Sequence, residues 1–230
     1  MTRRPEDLAV FLNVRLRSRR CPGKMLRPFA GSTTLLDICL RKVSDLGWRK
    51  TYFGAHEEEL LERAKDYPGL TVYRRSKRSA EADSDPKAIF EILEVIEEPY
   101  VMWVNPCVPL LKVETLRAGL GRFLEIAGPA LTSVKRVVGW FYAPDGRPLN
   151  RMAGNVDTAE SEPVLQVAHA FHIYDRARML RTGRPWTNTP GDLELFQIPE
   201  AEAHDIDTEE EFEAVECLYQ VRRQGGRSHA

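Results

Sequence analysis

Residues 8–14, Leu-Ala-Val-Phe-Leu-Asn-Val, are apolar at almost every position. A strand with one wet face alternates apolar and polar residues. A run that does not alternate suits a strand covered on both faces, as in the middle of a parallel sheet. This run empties directly into Arg15, Arg17, Ser18, Arg19, Arg20 and Lys24, with Pro22-Gly23 just before the lysine. A buried strand that opens into a short basic Pro-Gly loop is suited to holding a polyphosphate at the carboxyl end of a sheet, where backbone N–H groups and cations converge. That pairing restricts the fold to sheets flanked by helices.

The rest of the chain agrees. Residues 33–46 are expected to be helical, with a Thr34–Asp37 capping box, a stripe of Leu35, Leu36, Cys39, Val43 and Leu46, and a stop at Gly47. Strands are expected at 49–55 and 70–73, with a helix at 57–65 between them. Asp85 and Pro86 open a helix expected to run through Ile96. Tyr100–Val104 reads as a fourth strand, and about 113–126 as a helix. Ala130–Tyr142 is β-rich, Pro144–Pro148 a turn, and 149–162 a polar loop or arm. Strands at 164–174 and 194–198 enclose a short helix at 175–182. Thr208 and Glu211 form a second capping box, opening a last helix whose buried face is read as Phe212, Val215, Leu218 and Tyr219. The alternation predicts an α/β three-layer sandwich with a mostly parallel sheet, as one domain over 1–230 with a protruding arm or dimerisation segment within about 140–172.

Composition narrows the function. Lys and Arg number 33 against 34 Asp and Glu, which argues against a nucleic-acid binder. No apolar stretch approaches the ~18 residues of a membrane helix. The start, Met-Thr-Arg-Arg-Pro-Glu-Asp, lacks the apolar core of a signal peptide. The expectation is a cytoplasmic protein that uses neither membrane nor nucleic acid. Cys21, Cys39, Cys107 and Cys217 are too far apart in sequence for a CxxC motif and read as reduced thiols.

Three further groups bear on chemistry. Asp205 and Asp207 are two apart on an extended segment and so face one side; two hard oxygens that leave room for water and phosphate suit Mg²⁺. The alternative is that Asp207 only helps to start the helix at Thr208. Arg74-Arg-Ser-Lys-Arg78 with Ser84 suits a nucleobase or ribose, or else is a charged surface turn. His169 and His172, three apart on a strand, are expected to face opposite sides, which counts against a metal pair. The basic loop is not a Walker A motif, because Gly-x-x-x-x-Gly-Lys-Ser/Thr is absent.

Together these segments resemble a known family. Arg15-x-x-Ser18-x-Arg20-x-Pro22-Gly23-Lys24 resembles the first motif of the cytidylyltransferases that activate sugar acids, the acylneuraminate and 3-deoxy-manno-octulosonate group. Arg74-Arg75 with Ser84-Asp85 looks like their cytosine-contacting segment, and Asn105-Pro-Cys-Val-Pro-Leu110 like their acceptor loop. Asp205-Ile-Asp-Thr-Glu-Glu-Glu-Phe212 is similar to their closing motif. The resemblance spans roughly residues 8–220. It implies a nucleotide-diphosphosugar-transferase-like fold, CTP as donor, Mg²⁺ as cofactor and a homodimer built through the arm.

It also implies that Arg15, Ser18, Arg20, Gly23 and Lys24 hold the triphosphate, and Arg74 and Ser84 the cytidine. Asp205 and Asp207 would bind Mg²⁺, Arg15, Lys24 and Asp207 would carry the catalysis, and Asn105 would face a small acidic acceptor. The departures lie on the acceptor side. Met25 stands where sialic-acid activators carry Asn, and Cys107-Val108 where they carry Thr-Ser. The expected reaction is CMP transfer to a sialic-acid-like or other 2-keto sugar acid with release of pyrophosphate. One alternative is a small phosphonate acceptor, such as one in phosphonate natural-product synthesis, held by Arg147, Arg151 or Lys112. A further one is a CTP-binding protein without catalysis.

Overall fold

The computed structural model describes residues 3–150, 154 and 156–225. Its frame is a seven-stranded sheet in the order β3-β2-β1-β4-β6-β5-β7. The strands are β1 (Leu8–Asn13), β2 (Thr51–Ala55), β3 (Leu70–Arg74), β4 (Tyr100–Val104), β5 (Ala130–Val137), β6 (Val164–Asp175) and β7 (Leu193–Gln197). Pairing is parallel throughout except for β6, which runs antiparallel to both neighbours. The unalternating strand β1 lies inside the sheet, Val10 opposite both Thr51 and Met102, and Ala9 through Leu12 are fully buried. Because β1 to β4 are parallel, Val14, Arg75 and Asn105 all emerge on one sheet edge.

Helices cover both faces. One core layer packs Leu12, Phe53, Val104 and Phe171 against α1 (Leu35–Leu46), α2 (Glu58–Ala64), α5 (Val113–Glu125) and α7 (Glu209–Gly225). The thinner second layer gathers Phe11, Tyr52, Val101 and Tyr174 with Ile92, Leu93 and Met179, beside α4 (Pro86–Ile89), a short 3₁₀ turn (Glu91–Glu94) and α6 (Arg176–Thr182). Both capping boxes form. Thr34 Oγ1 accepts from the Asp37 amide at 3.1 Å while Asp37 accepts from the Thr34 amide at 3.0 Å, and Gly47 ends α1 at φ +65°. Thr208 and Glu211 do the same at the start of α7.

Three local expectations are corrected. The helix expected from Pro86 to Ile96 breaks at Phe90. The Ile89 carbonyl is taken by Asn13 Nδ2 at 2.7 Å and Arg75 at 3.1 Å, and the Phe90 ring wedges edge-on between Phe11 and Trp103. The basic segment Arg74–Arg78, with a surface turn as one of its two readings, runs into a short helix, α3 (Lys77–Glu81), capped by Ser76. Leu218 lies off the buried stripe of α7 and is exposed, whereas Phe212 and Val215 are buried. Within the 140–172 segment, the described residues outside the sheet all lie before Val164; they include a hairpin closed by Ala143 on Arg147 and Leu149 on Phe141. Phe171–Asp175 of β6 pairs with β4 inside the sheet. Among the described residues no helix is long and apolar enough to cross a membrane.

Candidate active site

The basic loop leaves β1 in a fixed course. Its start is held by Val14 N on Gly54 O at 2.8 Å and by Leu16 N on Glu57 at 3.0 Å. Gly23 sits at φ +67°, and a Cβ there would meet nothing within 4 Å. Its need is therefore the left-handed backbone rather than room. That bend lets Gly23 O accept from Leu26 and Arg27 and turns Lys24 inward.

Lys24 is where the two ends of the chain meet. Its side chain is only 12% exposed; Nζ donates to Ile206 O at 2.5 Å and lies 3.8 Å from Asp207. Arg20 reaches the other Asp207 oxygen at 2.8 Å. The 205–207 segment is itself anchored by Ile206, buried, whose N–H donates to Cys107 O at 3.0 Å. The loop after β1 and the segment before α7 thus share a cleft of about 390 Å³, lined also by Asn13, Ser18, Trp103 and Asn105. Five cations (Arg15, Arg17, Arg19, Arg20 and Lys24) face two lining carboxylates, Asp83 and Asp207, a balance that favours an anionic ligand.

Asp205 sits behind Asp207. One oxygen accepts from Asn105 Nδ2 at 3.0 Å; the other is buried without a partner among the described residues. Burial, then the neighbouring Asp207 charge, push its pKa up to about 6. An orphaned carboxylate oxygen beside a second carboxylate fits a divalent cation with oxygen ligands. The fit is to two carboxylates: no group of three or more His, Cys, Asp and Glu gathers for a metal among the described residues.

Asn105 lines the cleft, but its amide is committed. Nδ2 donates to His169 O at 2.9 Å as well as to Asp205, and Oδ1 accepts from Cys107 N at 2.9 Å. It orients a carboxylate. Cys107 beside it is pushed up to about 11 by burial and stays a thiol.

Arg74, expected at the nucleoside, instead bonds Glu58 at 2.5 Å and lies largely exposed outside the cleft lining. Its neighbour Arg75 is the buried one. It ties Val14 O, Ser79 and Ile89 O together, and burial lowers its pKa to about 10. Ser84 is exposed, one residue after cleft-lining Asp83. Arg147 is in the exposed hairpin, outside the lining. Arg151 lies outside the described residues. Lys112 is drawn to buried Glu202 at 3.9 Å.

Two features escape the sequence. Asp83 gathers Arg15 and Arg17 at 3.3 Å and Arg19 at 2.6 Å; nothing in Ala82-Asp-Ser-Asp85 distinguishes it. The expectation that His169 and His172 face opposite sides fails as well. β6 bulges between its pairings at Val167 and His172, and His169 adopts φ +53°. The bulge turns both imidazoles together, Nδ1 of His169 lying 2.8 Å from Nε2 of His172. No local pattern marks such a bulge.

Comparison with known proteins places the fold. No family model and no curated protein matches the chain. Among solved structures, CMP:2-keto-3-deoxy-manno-octonic acid synthetase complexed with CTP superposes with a TM-score of 0.65 at 13% identity, covering 94% of this chain and 99% of that one. The 4-diphosphocytidyl-2C-methyl-D-erythritol synthase of Anaerococcus prevotii gives 0.64 at 11% identity, over 93% and 95%. A cytidylyltransferase of Leptospira borgpetersenii gives 0.56 at 16%, over 96% and 95%. The chain has the nucleotide-diphosphosugar-transferase-like fold of these cytidylyltransferases.

Proposed function

We propose that the protein is a CTP-dependent cytidylyltransferase that moves CMP to a small acidic acceptor and releases pyrophosphate. The observation that carries this reading is Lys24, held between Ile206 O and Asp207 in a five-cation cleft. The basic loop and the closing acidic motif act on one nucleotide. The structural neighbours' cytidylyl chemistry supports CTP as the donor.

In this reading Arg15, Arg17 and Arg19, exchanging Asp83 for phosphate oxygens, bind the triphosphate with Lys24, and all four offset charge on the departing pyrophosphate. Ser18, Arg20 and Gly23 complete the loop that receives it. Ser84 remains available to the nucleoside; Arg74 is held by Glu58 outside the cleft lining. Asp205 and Asp207 would hold Mg²⁺, which when bound supplies charge neutralisation between phosphate oxygens. Asn105 keeps Asp205 in place. The acceptor carried forward is a sugar acid. What supports this choice over a phosphonate is that, of the cations considered for a phosphonate pocket, Arg147 lies in the exposed hairpin and Lys112 beside Glu202, while Arg151 falls outside the described residues. We also propose a homodimer formed through the β5–β6 region.

The test is a pyrophosphate-release assay with CTP, UTP, ATP or GTP, candidate acids, and Mg²⁺ or EDTA, with mass spectrometry for the CMP adduct. CTP alone should give product, EDTA should stop it, and Asp207→Ala should lower turnover by about 10²–10³-fold. A product formed only from ATP or UTP, or full turnover by the Asp207 variant, would overturn the reading.

A further inference from the structure

The bulge in β6 gives His169 a setting that the binding of CTP does not require. Its backbone holds a left-handed conformation that non-glycine residues seldom take. Two buried groups impose that shape. Ser133 Oγ accepts from Ala170 N and Phe171 N, both at 3.1 Å, and donates to Phe171 O at 3.0 Å. Asn105 Nδ2, just past the end of β4, grips His169 O. The side chain packs against Trp103, ring centroids 5.0 Å apart, and Trp103 lines the cleft. Strain maintained from both sides, in a residue packed on the cleft-lining Trp103, calls for a function.

The imidazole is also wired. Its Nδ1 meets His172 Nε2 at 2.8 Å, and His172 Nδ1 meets Thr132 Oγ1 at 2.6 Å. His172 and Thr132 are buried, and His172 stacks on Trp103. Burial drives the His172 pKa down to about 3, so that ring stays neutral and carries one N–H. With that N–H on Nδ1 toward Thr132, its Nε2 accepts from His169 Nδ1–H. The Nε2 of His169 then holds a lone pair and has no hydrogen-bond partner among the described residues. A proton arriving there finds Nδ1–H already donated, so no group has to turn. The titratable groups acting on His169 are His172 from its own strand and Asp207 from the segment before α7; burial lowers its pKa and Asp207 opposes that.

We infer that His169 is the general base that meets the acceptor, and that the acceptor therefore attacks through a hydroxyl group. This rests on the cytidylyl-transfer reading. An ionised phosphonate oxygen has no proton to give up. In the step, the acceptor O–H gives its proton to His169 Nε2 while the oxygen bonds to the α-phosphorus of CTP. The bond from that phosphorus to the bridging oxygen breaks, and pyrophosphate leaves with the electron pair. The proton passes from His169 to solvent afterwards.

The experiment is His169→Gly, which fits the left-handed backbone and opens a space beside Trp103, assayed with saturating CTP and acceptor with and without added imidazole. Turnover should fall by about 10²–10³-fold, CTP affinity should stay within twofold, and imidazole should restore turnover saturably. Turnover within threefold of the parent, or a loss that imidazole does not repair, overturns the assignment. If the glycine variant does not fold, His169→Asn, which also accepts this backbone, decides through turnover and CTP affinity together: a comparable loss of turnover with CTP affinity retained upholds the base, and near-parental turnover removes it. A parent protein that releases no pyrophosphate from CTP with any acceptor defeats the reaction itself. A parent that turns over beside an unimpaired variant defeats only the role of His169.

Discussion

Asp205 carries a tension that its neighbours do not resolve. Asn105 satisfies one oxygen, and the other is buried beside the Asp207 charge. With a folded pKa of about 6 against an ordinary 3.8, the folded protein keeps a proton that the unfolded chain releases. Below about pH 4 both states are protonated and the residue costs nothing. As pH rises towards 6 its contribution to stability falls, and above 6 the full penalty stands. Asp205→Asn keeps an oxygen for Asn105 and removes the charge. Without divalent ions at pH 7.5 it should melt higher than the parent by about 1–2 kcal/mol, roughly 2–8 °C, after allowance for solvent screening. The gap should close as pH drops towards 4. Mg²⁺ should raise the parent's melting temperature and leave the variant's unchanged. Melting curves across pH with and without Mg²⁺ test this; a gap independent of pH would show that Asp205 is not the strained group. In the proposed reading the same variant should lose turnover, because Asp205 is one of the two carboxylates assigned to Mg²⁺.

At the level of elements, what the sequence discloses is what short stretches decide for themselves. Thr34–Asp37 and Thr208–Glu211 are caps made within four residues, and both form as read. The unalternating β1 announces its central place, and the order of strands and helices announces the layered sheet. The basic loop and the Asp205–Asp207 segment are legible because each concentrates one kind of charge. What escapes depends on partners far along the chain. Phe90 breaks its helix because Asn13 and Arg75 take the Ile89 carbonyl. Whether Arg74 or Arg75 turns inward is settled by Glu58, Ser79 and Val14. Asn105 looks like an acceptor contact until His169 and Asp205 occupy its amide. The β6 bulge is the largest omission, since its keystone, Ser133, lies on another strand. Ser133→Ala would strip the partner from two buried N–H groups, so it should destabilise by about 2–4 kcal/mol. It should also lower turnover by letting His169 relax. Urea titration reads the first effect as a lower midpoint at an unchanged slope. A loss under about 0.5 kcal/mol would mean that the bulge stands without its hydroxyl.

For the molecule as a whole, the sheet's two faces are unequally covered. The face that receives α1, α2, α5 and α7 is closed, whereas the thinner layer leaves apolar surface on the far strands. Val134 is opposite both Val167 and Gln197, so Leu165, Val167 and Leu195 share that face. They are exposed by 43%, 45% and 47%. Exposed apolar side chains on β6 and β7, one on each side of β5, favour burial against a partner, and a second copy is the occupant our dimer proposal names. Placing charge there should then be damaging in solution while sparing the nucleotide cleft. Leu165→Glu with Val167→Glu should convert a dimer to a monomer of about 26.3 kDa by light scattering, the chain's own mass, with CTP affinity kept within about threefold. Val167 is two residues before His169 on the same strand, so release of the partner should loosen the bulge and depress turnover more than CTP binding. A parent that is already monomeric at assay concentration, or a charged double variant that stays dimeric, would move the interface off this face. A monomer with undiminished turnover would separate assembly from the acceptor side of the site.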